Sequence, residues 1–242
     1  MFAADAVRCM RRGNGGGGGG EDPYWSNVVA LLHFDGDLYD AAGANWSIYK
    51  TGAGFMEISN DSALFGQGAL RIDSPSGNNI EVPYSAGIIK TGDIFTCECF
   101  VRVGSDIATR KQIIFGSFFN RGDSDQTLEL NNGALRFYRG SNVPGSEPKN
   151  VTGADIIEPG IYTHIALVFD GAKIMAFMGG NKQFEIPTTL GWVTDSQSFY
   201  LGDYYIGSYT SSYRPRSEIE MDEVRITKGV ARYTTNFTPP TE

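Results

Sequence analysis

Short runs of apolar residues, separated by turn-forming residues, recur along the chain from residue 22 onward. VVALLHF (28–34) has the length of a fully buried strand. IFTCECFVRV (94–103) alternates, which places Phe95, Cys97, Cys99 and Val101 on one face of a strand. The same lengths and alternation predict strands in GALRID (68–73), QIIFGSFF (112–119), QSFYLG (197–202) and IEMDEVRIT (219–227).

Two longer segments have the pattern of β-hairpins. TLELNNGALRFYRG (127–140) turns at Asn132-Gly133, and YTHIALVFDGAKIMAFM (162–178) turns at Asp170-Gly171. Only TKGVARY (227–233) has the spacing of a single helical turn. About a dozen short strands with few helical signals predict an all-β fold, an antiparallel two-sheet sandwich or jelly roll.

A run of glycines divides the chain into three parts. Residues 13–21 form a glycine-rich linker, because consecutive glycines form no regular element by themselves. Residues 1–12 carry three arginines and one aspartate, net +2, and we interpret them as an arm that docks the protein on a larger assembly. The alternative is a frayed tail. Residues 22–242 form the folded domain.

Charge and cysteine content exclude several classes of function. The chain of 242 residues has a net charge of −8 and a sequence pI near 4.8, which argues against binding to nucleic acid. Its three cysteines do not make a disulfide framework, so we expect folding in a reducing cytosol. We find neither a signal peptide nor an apolar run of the roughly 20 residues that membrane insertion requires.

Three of the four acids in SEIEMDEV (217–224) raise the question of catalysis. Glu218, Glu220 and Asp222 alternate, so they share one face of a strand, and neighbours two apart lie roughly 6–7 Å from each other. A retaining glycosidase requires two carboxyl groups about 5–5.5 Å apart, one of them protonated. The pattern therefore permits a glycoside hydrolase, but no aromatic residue follows it directly. We expect no enzyme and keep hydrolysis as an alternative.

A tyrosine-rich segment predicts a binding surface. Residues 203–216, DYYIGSYTSSYRPR, lie between two predicted strands and combine tyrosines with small polar residues. Tyrosine offers a flat amphipathic surface at low entropic cost, and sugar rings stack on such faces. The predicted ligand-binding residues are Tyr204, Tyr205, Tyr209, Tyr213 and Arg214. A loop whose tyrosines pack on the sandwich itself is the alternative.

Five segments in order resemble the laminin-G-like, concanavalin A-like jelly-roll domains of tailed-phage virion proteins. The segments are residues 28–43, 65–73, 94–103, 160–171 and the ending MDEVRITKGVARYTTNFTPP (221–240). The resemblance covers roughly residues 24–240. It implies two facing antiparallel sheets and a role in binding glycans or surface receptors from a tail fibre or capsid decoration. Tyr162 and Thr163 stand before His164, where such domains usually carry a tryptophan.

The resemblance also implies a structural calcium ion that ties the ends of the domain together. Asp35 and Asp222 are the positions that correspond, with Asp37 or Asp40 as further candidates. Calcium prefers carboxylate and carbonyl oxygens, six to eight in number. The alternative is that these are solvated acids at strand ends.

Together these observations predict a non-catalytic, lectin-like virion protein, assembled in the host cytoplasm. Residues 1–20 would contact other virion subunits, and the domain would bind a host-surface glycan or receptor. The resemblance leaves a homo-oligomer such as a trimer open. A purely structural virion cap, which cements neighbouring subunits, is the second alternative besides the hydrolase.

Overall fold

The structure is a computed structural model with two stacked β-sheets. It describes residues 22–50, 55–74, 78–105, 107, 111–118, 125–143, 145, 149–194, 197–202 and 217–241. Two short 3-10 helices, Trp25–Asn27 and Tyr84–Ala86, accompany the strands. Among the described residues, no helix is long and apolar enough to cross a bilayer.

The first sheet has eight strands and contains the last strand of the chain near its centre. Its antiparallel order is β13-β12-β11-β6-β15-β4-β3, and β1 pairs with β15 beside this path. The strands are β1 (Val28–Leu32), β3 (Phe55–Ser59), β4 (Ala69–Ser74), β6 (Phe95–Val103), β11 (Thr163–Phe169), β12 (Lys173–Met178), β13 (Asn181–Pro187) and β15 (Ser217–Lys228).

The second sheet has seven strands and is also antiparallel. Its order is β10-β9-β8-β7-β14-β5-β2. The strands are β2 (Ser47–Lys50), β5 (Asn78–Val82), β7 (Lys111–Phe118), β8 (Asp125–Asn131), β9 (Ala134–Arg139), β10 (Lys149–Ile156) and β14 (Phe199–Gly202). The predicted all-β, two-sheet sandwich is therefore confirmed.

The core lies between the sheets and is built from the inward side of each alternating strand. On β6, Phe95, Cys97, Cys99 and Val101 are all buried in one cluster, as the alternation predicts. Both cysteines are free thiols, and burial raises their pKa values well above the ordinary one. They act as small apolar residues in the core.

Tight turns fix the hairpin registers. Asn132 and Gly133 both have positive φ, and Asn131 pairs with Ala134, so the predicted turn at Asn132-Gly133 is confirmed. The turn at Asp170-Gly171 is also confirmed, because Phe169 pairs with Ile174. The helical turn predicted for 227–233 is wrong. Residues 227 and 228 end β15, and residues 229–233 continue without regular structure because their side chains pack on the first sheet.

The segment after β15 covers part of the outward face of the first sheet. We call residues 230–241 the C-terminal segment. Its Tyr233 and Phe237 rings are stacked, with centroids 3.6 Å apart, and pack with Ala231 on Phe177 and its buried neighbours. Beneath this segment, Glu98 of β6 accepts hydrogen bonds from Arg232 and from the Tyr233 hydroxyl, the latter at 2.7 Å.

Candidate ligand-binding sites

Several predicted residues lie outside the described part of the chain. These are the tyrosine-rich segment with Tyr204, Tyr205, Tyr209, Tyr213 and Arg214, and the arm and linker of residues 1–21. Their roles stay predictions.

Glu218, Glu220 and Asp222 of β15 share the outward face of the first sheet, as predicted, since Ile219 and Met221 between them lie in the core. Glu220 accepts a hydrogen bond from Arg102, and its other oxygen lies 3.9 Å from Arg71 Nε. The bond to Glu220 raises the pKa of the Arg102 guanidinium. Glu220 is therefore held in an ion pair with Arg102.

A cleft of about 200 Å³ lies beside these acids. It is lined by Arg71, Ile72, Arg102, Val103, Gly104, Gly160, Glu218, Ile219 and Glu220. The Glu218 carboxyl group lies against Gly104, so closely that a Cβ on that glycine would be 2.8 Å from Glu218 Cδ. The cleft is small, and Glu218 and Glu220 themselves form part of its wall.

Asp222 is buried beneath the loop between β3 and β4. Its Oδ2 accepts hydrogen bonds from the backbone N–H groups of Leu64 and Phe65, both at 2.9 Å. Its Oδ1 accepts one from the N–H of Glu223, at 2.8 Å, where a bulge interrupts β15 and Glu223 has a φ of 50°. Burial, opposed by these hydrogen bonds, raises the pKa of Asp222 to about 7.

Asp35 is bonded to the same loop. Its Oδ1 accepts a hydrogen bond from the N–H of Gln67, at 2.6 Å. The structure thus brings Asp35 and Asp222 to one loop, although they are 187 positions apart in the sequence. Both carboxylates hold this loop through its peptide N–H groups.

The arrangement fits a calcium ion poorly. The atoms around the Asp222 carboxylate are N–H donors, whose partial positive charge repels a cation, whereas calcium requires oxygen ligands. The Asp40 carboxylate is also surrounded by N–H donors. It accepts hydrogen bonds from Leu31 N, Ala42 N and Trp46 Nε1. Asp37 accepts from Tyr39 N. Within the described ranges, no three His, Cys, Asp or Glu side chains are grouped to hold a metal ion. Calcium binding stays a prediction without support from this geometry.

The outward face of the second sheet carries a row of paired residues that crosses all seven strands. We call it the cross-sheet row, and its members in order from β10 to β2 are Asn150, Tyr138, Thr127, Gly116, Tyr200, Glu81 and Ser47. The neighbouring inward positions are core residues such as Phe137, Leu128 and Leu201. Tyr138 and Tyr200 lie three strands apart, about 14 Å. Between them, Thr127 and Gly116 are short and buried.

Charged groups surround Tyr138 at one end of this row. Glu129 is fully buried and accepts from Arg136 Nη1 at 3.0 Å, from Lys111 Nζ at 2.9 Å and from the Thr127 hydroxyl at 2.7 Å. The Arg136 guanidinium lies 4.8 Å from the Tyr138 ring centroid. Arg136 Nε also donates to Asn150 Oδ1 at 2.9 Å. The result is a fixed aromatic ring among planar polar groups.

Sequence reasoning missed these residues, although a signal for them exists. In the hairpin TLELNNGALRFYRG, the Asn-Gly turn sets the register, and alternation then places Thr127, Glu129, Arg136 and Tyr138 on the same face. What the hairpin alone does not reveal is which neighbours β7, β10 and β14 contribute.

A comparison with protein families agrees with the sandwich. Residues 74–231 match a laminin G-type family described as the concanavalin A-like lectin/glucanases superfamily. The chain belongs to this superfamily. As a member of the concanavalin A-like superfamily, it shares a sandwich fold with both lectins and glucanases, so membership alone leaves catalysis open. None of the curated protein sequences compared with this chain matches it.

Solved structures show the same fold at low sequence identity. Domain 4 of AbnA, an extracellular GH43 arabinanase from Geobacillus stearothermophilus in complex with arabinotriose, is 19% identical with a TM-score of 0.63. The match covers 85% of this chain and 94% of that domain.

Toxin binding domains are also similar to this member of the superfamily. The binding domain of Paraclostridial Mosquitocidal Protein 1 is 15% identical (TM-score 0.59, 84% of this chain and 49% of that chain). The binding domain of Botulinum neurotoxin DC, in complex with rat synaptotagmin II, is 12% identical (TM-score 0.59, 84% and 48%). The chain thus spans about half the length of these two domains. Its structural neighbours include domains bound to a glycan and to a protein receptor.

Proposed function

We propose that this chain is a non-catalytic carbohydrate-binding domain whose ligand lies along the cross-sheet row. The observation that carries the proposal is the Tyr138 ring, which lies beside the Arg136 guanidinium and is paired with Asn150 of the neighbouring strand. Such a ring can stack against the apolar face of a sugar, while the planar polar groups bond its hydroxyls. The arabinotriose complex of AbnA domain 4 supports the ligand class by analogy of fold.

The arrangement of acids favours binding over hydrolysis. A glycosidase requires two carboxyl groups about 5–9.5 Å apart. On the outward face of the second sheet, Asp125 and Glu129 are four residues apart on one strand, so their Cα atoms lie about 13 Å apart. On the first sheet, Glu220 is paired with arginine and Asp222 is inaccessible. The hydrolase that uses Glu218, Glu220 and Asp222 is therefore the weaker alternative.

We further propose that the domain is displayed on a phage particle and adheres to a host-surface glycan. The resemblance of residues 221–240 to the endings of phage virion domains supports this context. Residues 1–20 would attach the domain to other virion subunits, and the tyrosines of 203–216 would add contacts at the ligand. A structural cap would contact neighbouring subunits instead of a glycan.

Glycan binding by the purified full chain tests this proposal. The chain is screened against bacterial surface polysaccharides and arabino-oligosaccharides, including arabinotriose, and each hit is titrated by calorimetry. We expect Tyr138→Ala to weaken binding at least roughly tenfold, because about 1.4 kcal/mol of ring stacking is lost. Tyr138→Phe, which keeps the ring, should retain most of the affinity.

The matched control is Tyr39→Ala, which removes a tyrosine that is 70% exposed and lies in the loop after β1. It should leave the affinity unchanged. Equal affinities for wild type and Tyr138→Ala would contradict the placement of the ligand on the cross-sheet row. Release of product sugars in the same samples, if it is abolished by Glu218→Gln or Glu220→Gln, would show that the protein is a hydrolase and would overturn the proposal of a non-catalytic domain.

A further inference from the structure

The head groups of two basic residues lie beside the Tyr138 ring in the cross-sheet row. Lys111 Nζ is 5.6 Å from the ring centroid, and the Arg136 guanidinium carbon is 4.8 Å from it. The Lys111 side chain is 27% exposed and that of Arg136 is 17% exposed, so both are accessible from solvent. A molecule bound at Tyr138 therefore lies next to two cations.

The shared partner of these cations leaves one positive charge in excess. The two oxygens of Glu129 accept from Arg136 Nη1 at 3.0 Å and from Lys111 Nζ at 2.9 Å, so the two head groups are neighbours. Glu129 itself is fully buried, so a ligand contacts the cations and not this carboxylate.

The excess charge is local to the Tyr138 end of the row. Glu81, the acid within the row, belongs to β5, which is four strands from β9 and therefore roughly 19 Å away. Asp125 lies farther along β8, four residues from Glu129. Neither acid bonds to Lys111 or Arg136, whose carboxylate partner is Glu129.

Both cations keep hydrogen-bond donors for a ligand. An ammonium group has three N–H bonds, and Glu129 takes one of those of Lys111. Arg136 uses Nε for Asn150 and Nη1 for Glu129, and within the described ranges its Nη2 has no partner. Charged donors bond most strongly to an anionic acceptor, and a guanidinium group matches a planar carboxylate.

We propose that the glycan at the cross-sheet row carries a carboxylate on the sugar beside Tyr138, as a hexuronic acid does, and that Lys111 and Arg136 bind this carboxylate. The inference rests on the proposed glycan binding and specifies its class of sugar. A single carboxylate balances the one excess charge. A polymer with an acid on every sugar fits less well, because its remaining acids would approach a chain whose net charge is −8.

Pairs of methyl glycosides that differ only in a carboxylate or a CH₂OH group at C5 test the proposal. Methyl β-D-glucuronide is compared with methyl β-D-glucoside, and methyl β-D-galacturonide with methyl β-D-galactoside, which covers both configurations at C4. NMR titrations of the full chain should show the uronide of at least one pair binding roughly tenfold more tightly than its neutral partner. The preference should decrease between about 20 mM and about 500 mM salt, because ions screen exposed charges.

Lys111→Gln tests the assignment of the carboxylate to these cations. Glutamine removes the positive charge but can still donate to Glu129, so the preference for the uronide should fall to roughly twofold or less. The affinity for the neutral glycoside should stay the same. Arg136→Gln should act in the same way, and it serves as the test if Lys111→Gln does not fold.

The matched control is Lys173→Gln. Lys173 is also a half-buried lysine paired with a glutamate, Glu185, but it lies on the first sheet. The variant changes the net charge by the same amount as Lys111→Gln and should keep the full preference. A preference that persists in Lys111→Gln and Arg136→Gln, or that is lost equally in Lys173→Gln, would overturn the proposal.

Tyr138→Ala separates this inference from the proposed function. It should weaken both members of a pair by the same factor and leave the preference for the uronide intact. Acidic and neutral members that bind wild type equally well, and that both lose affinity in Tyr138→Ala, would overturn the uronic acid and support the glycan site. Absence of saturable binding by all four glycosides would overturn the inference, and the polysaccharide screen would then decide the proposed function alone.

Discussion

Two buried acids on the first sheet are stabilised in different ways. Glu98 is fully buried and has cationic neighbours, Arg232, which donates to it, and Arg225, whose Nε lies 3.9 Å away. Asp222 is equally buried, but its partners are peptide N–H groups of the loop between β3 and β4. A full positive charge compensates a buried carboxylate better than peptide dipoles do. The hydrogen bond with His164 and the charge of Arg232 outweigh burial and lower the pKa of Glu98, whereas burial raises the pKa of Asp222.

Loss of the Glu98 charge should destabilise the domain strongly. Glu98→Gln leaves Arg232 buried without its anion, and breaking a buried ion pair from one side costs about 3–5 kcal/mol. The measurement is urea unfolding followed by tryptophan fluorescence. Glu185→Gln is the control, because Glu185 also pairs with two cations, Lys173 and Lys182, but at an exposed edge. The exposed pair should contribute little, and equal destabilisation by both variants would contradict this account.

The raised pKa of Asp222 predicts a pH-dependent stability. Because the folded pKa, about 7, exceeds the ordinary value of 3.8, the contribution of Asp222 is fully present below pH 3.8 and is lost as the pH rises through 7. Asp222→Asn does not titrate. Its destabilisation relative to wild type should therefore be larger at pH 5 than at pH 8, by roughly 2–3 kcal/mol. Unfolding curves at the two pH values check this, and a difference independent of pH would refute it.

A strand or turn can be predicted from the sequence when the pattern that specifies it lies within one continuous segment. The alternation of IFTCECFVRV and the Asn132-Gly133 turn were sufficient for β6 and for the β8–β9 hairpin. The bulge in β15 also has a local signal, since the spacing of apolar residues changes from two to three between Met221 and Val224. The course of the C-terminal segment has none, because its structure is determined by contacts with β6 and β12.

The turn between β12 and β13 should control the position of the C-terminal segment. Gly179 and Gly180 both have positive φ, but only at Gly180 would a Cβ collide, 2.0 Å from the Phe237 carbonyl oxygen. Gly180→Ala should therefore displace the C-terminal segment and lower stability more than Gly179→Ala. The Gly179→Ala variant introduces backbone strain at a positive φ but no collision. Limited proteolysis should cut residues 230–241 faster in Gly180→Ala. Identical cleavage rates for the two variants would contradict the contact.

At the scale of the whole molecule, the candidate site and a groove on the first sheet both combine distant parts of the chain. The cross-sheet row takes one residue from each of seven strands. In the sequence these residues are spread from Ser47 to Tyr200. The groove lies beside the C-terminal segment and takes residues from the loop after β3, from β11 and from that segment. Sequence patterns predict which face of a strand a residue occupies, but they do not predict strand order. The sandwich was therefore predictable from the chain, and the sites were not.

The beginning of the described domain lies against the last strand, β15, on the first sheet. Asp22 pairs with Arg225, and Asn27 Nδ2 donates to the Lys228 carbonyl oxygen at 3.0 Å, both at the first sheet. The cross-sheet row faces away from that side. Copies held on a support through the chain before Asp22 would therefore all direct their rows outward. A surface with repeated glycans would then be held by many weak contacts at once, and the density of copies would set the strength of adhesion more than any single affinity.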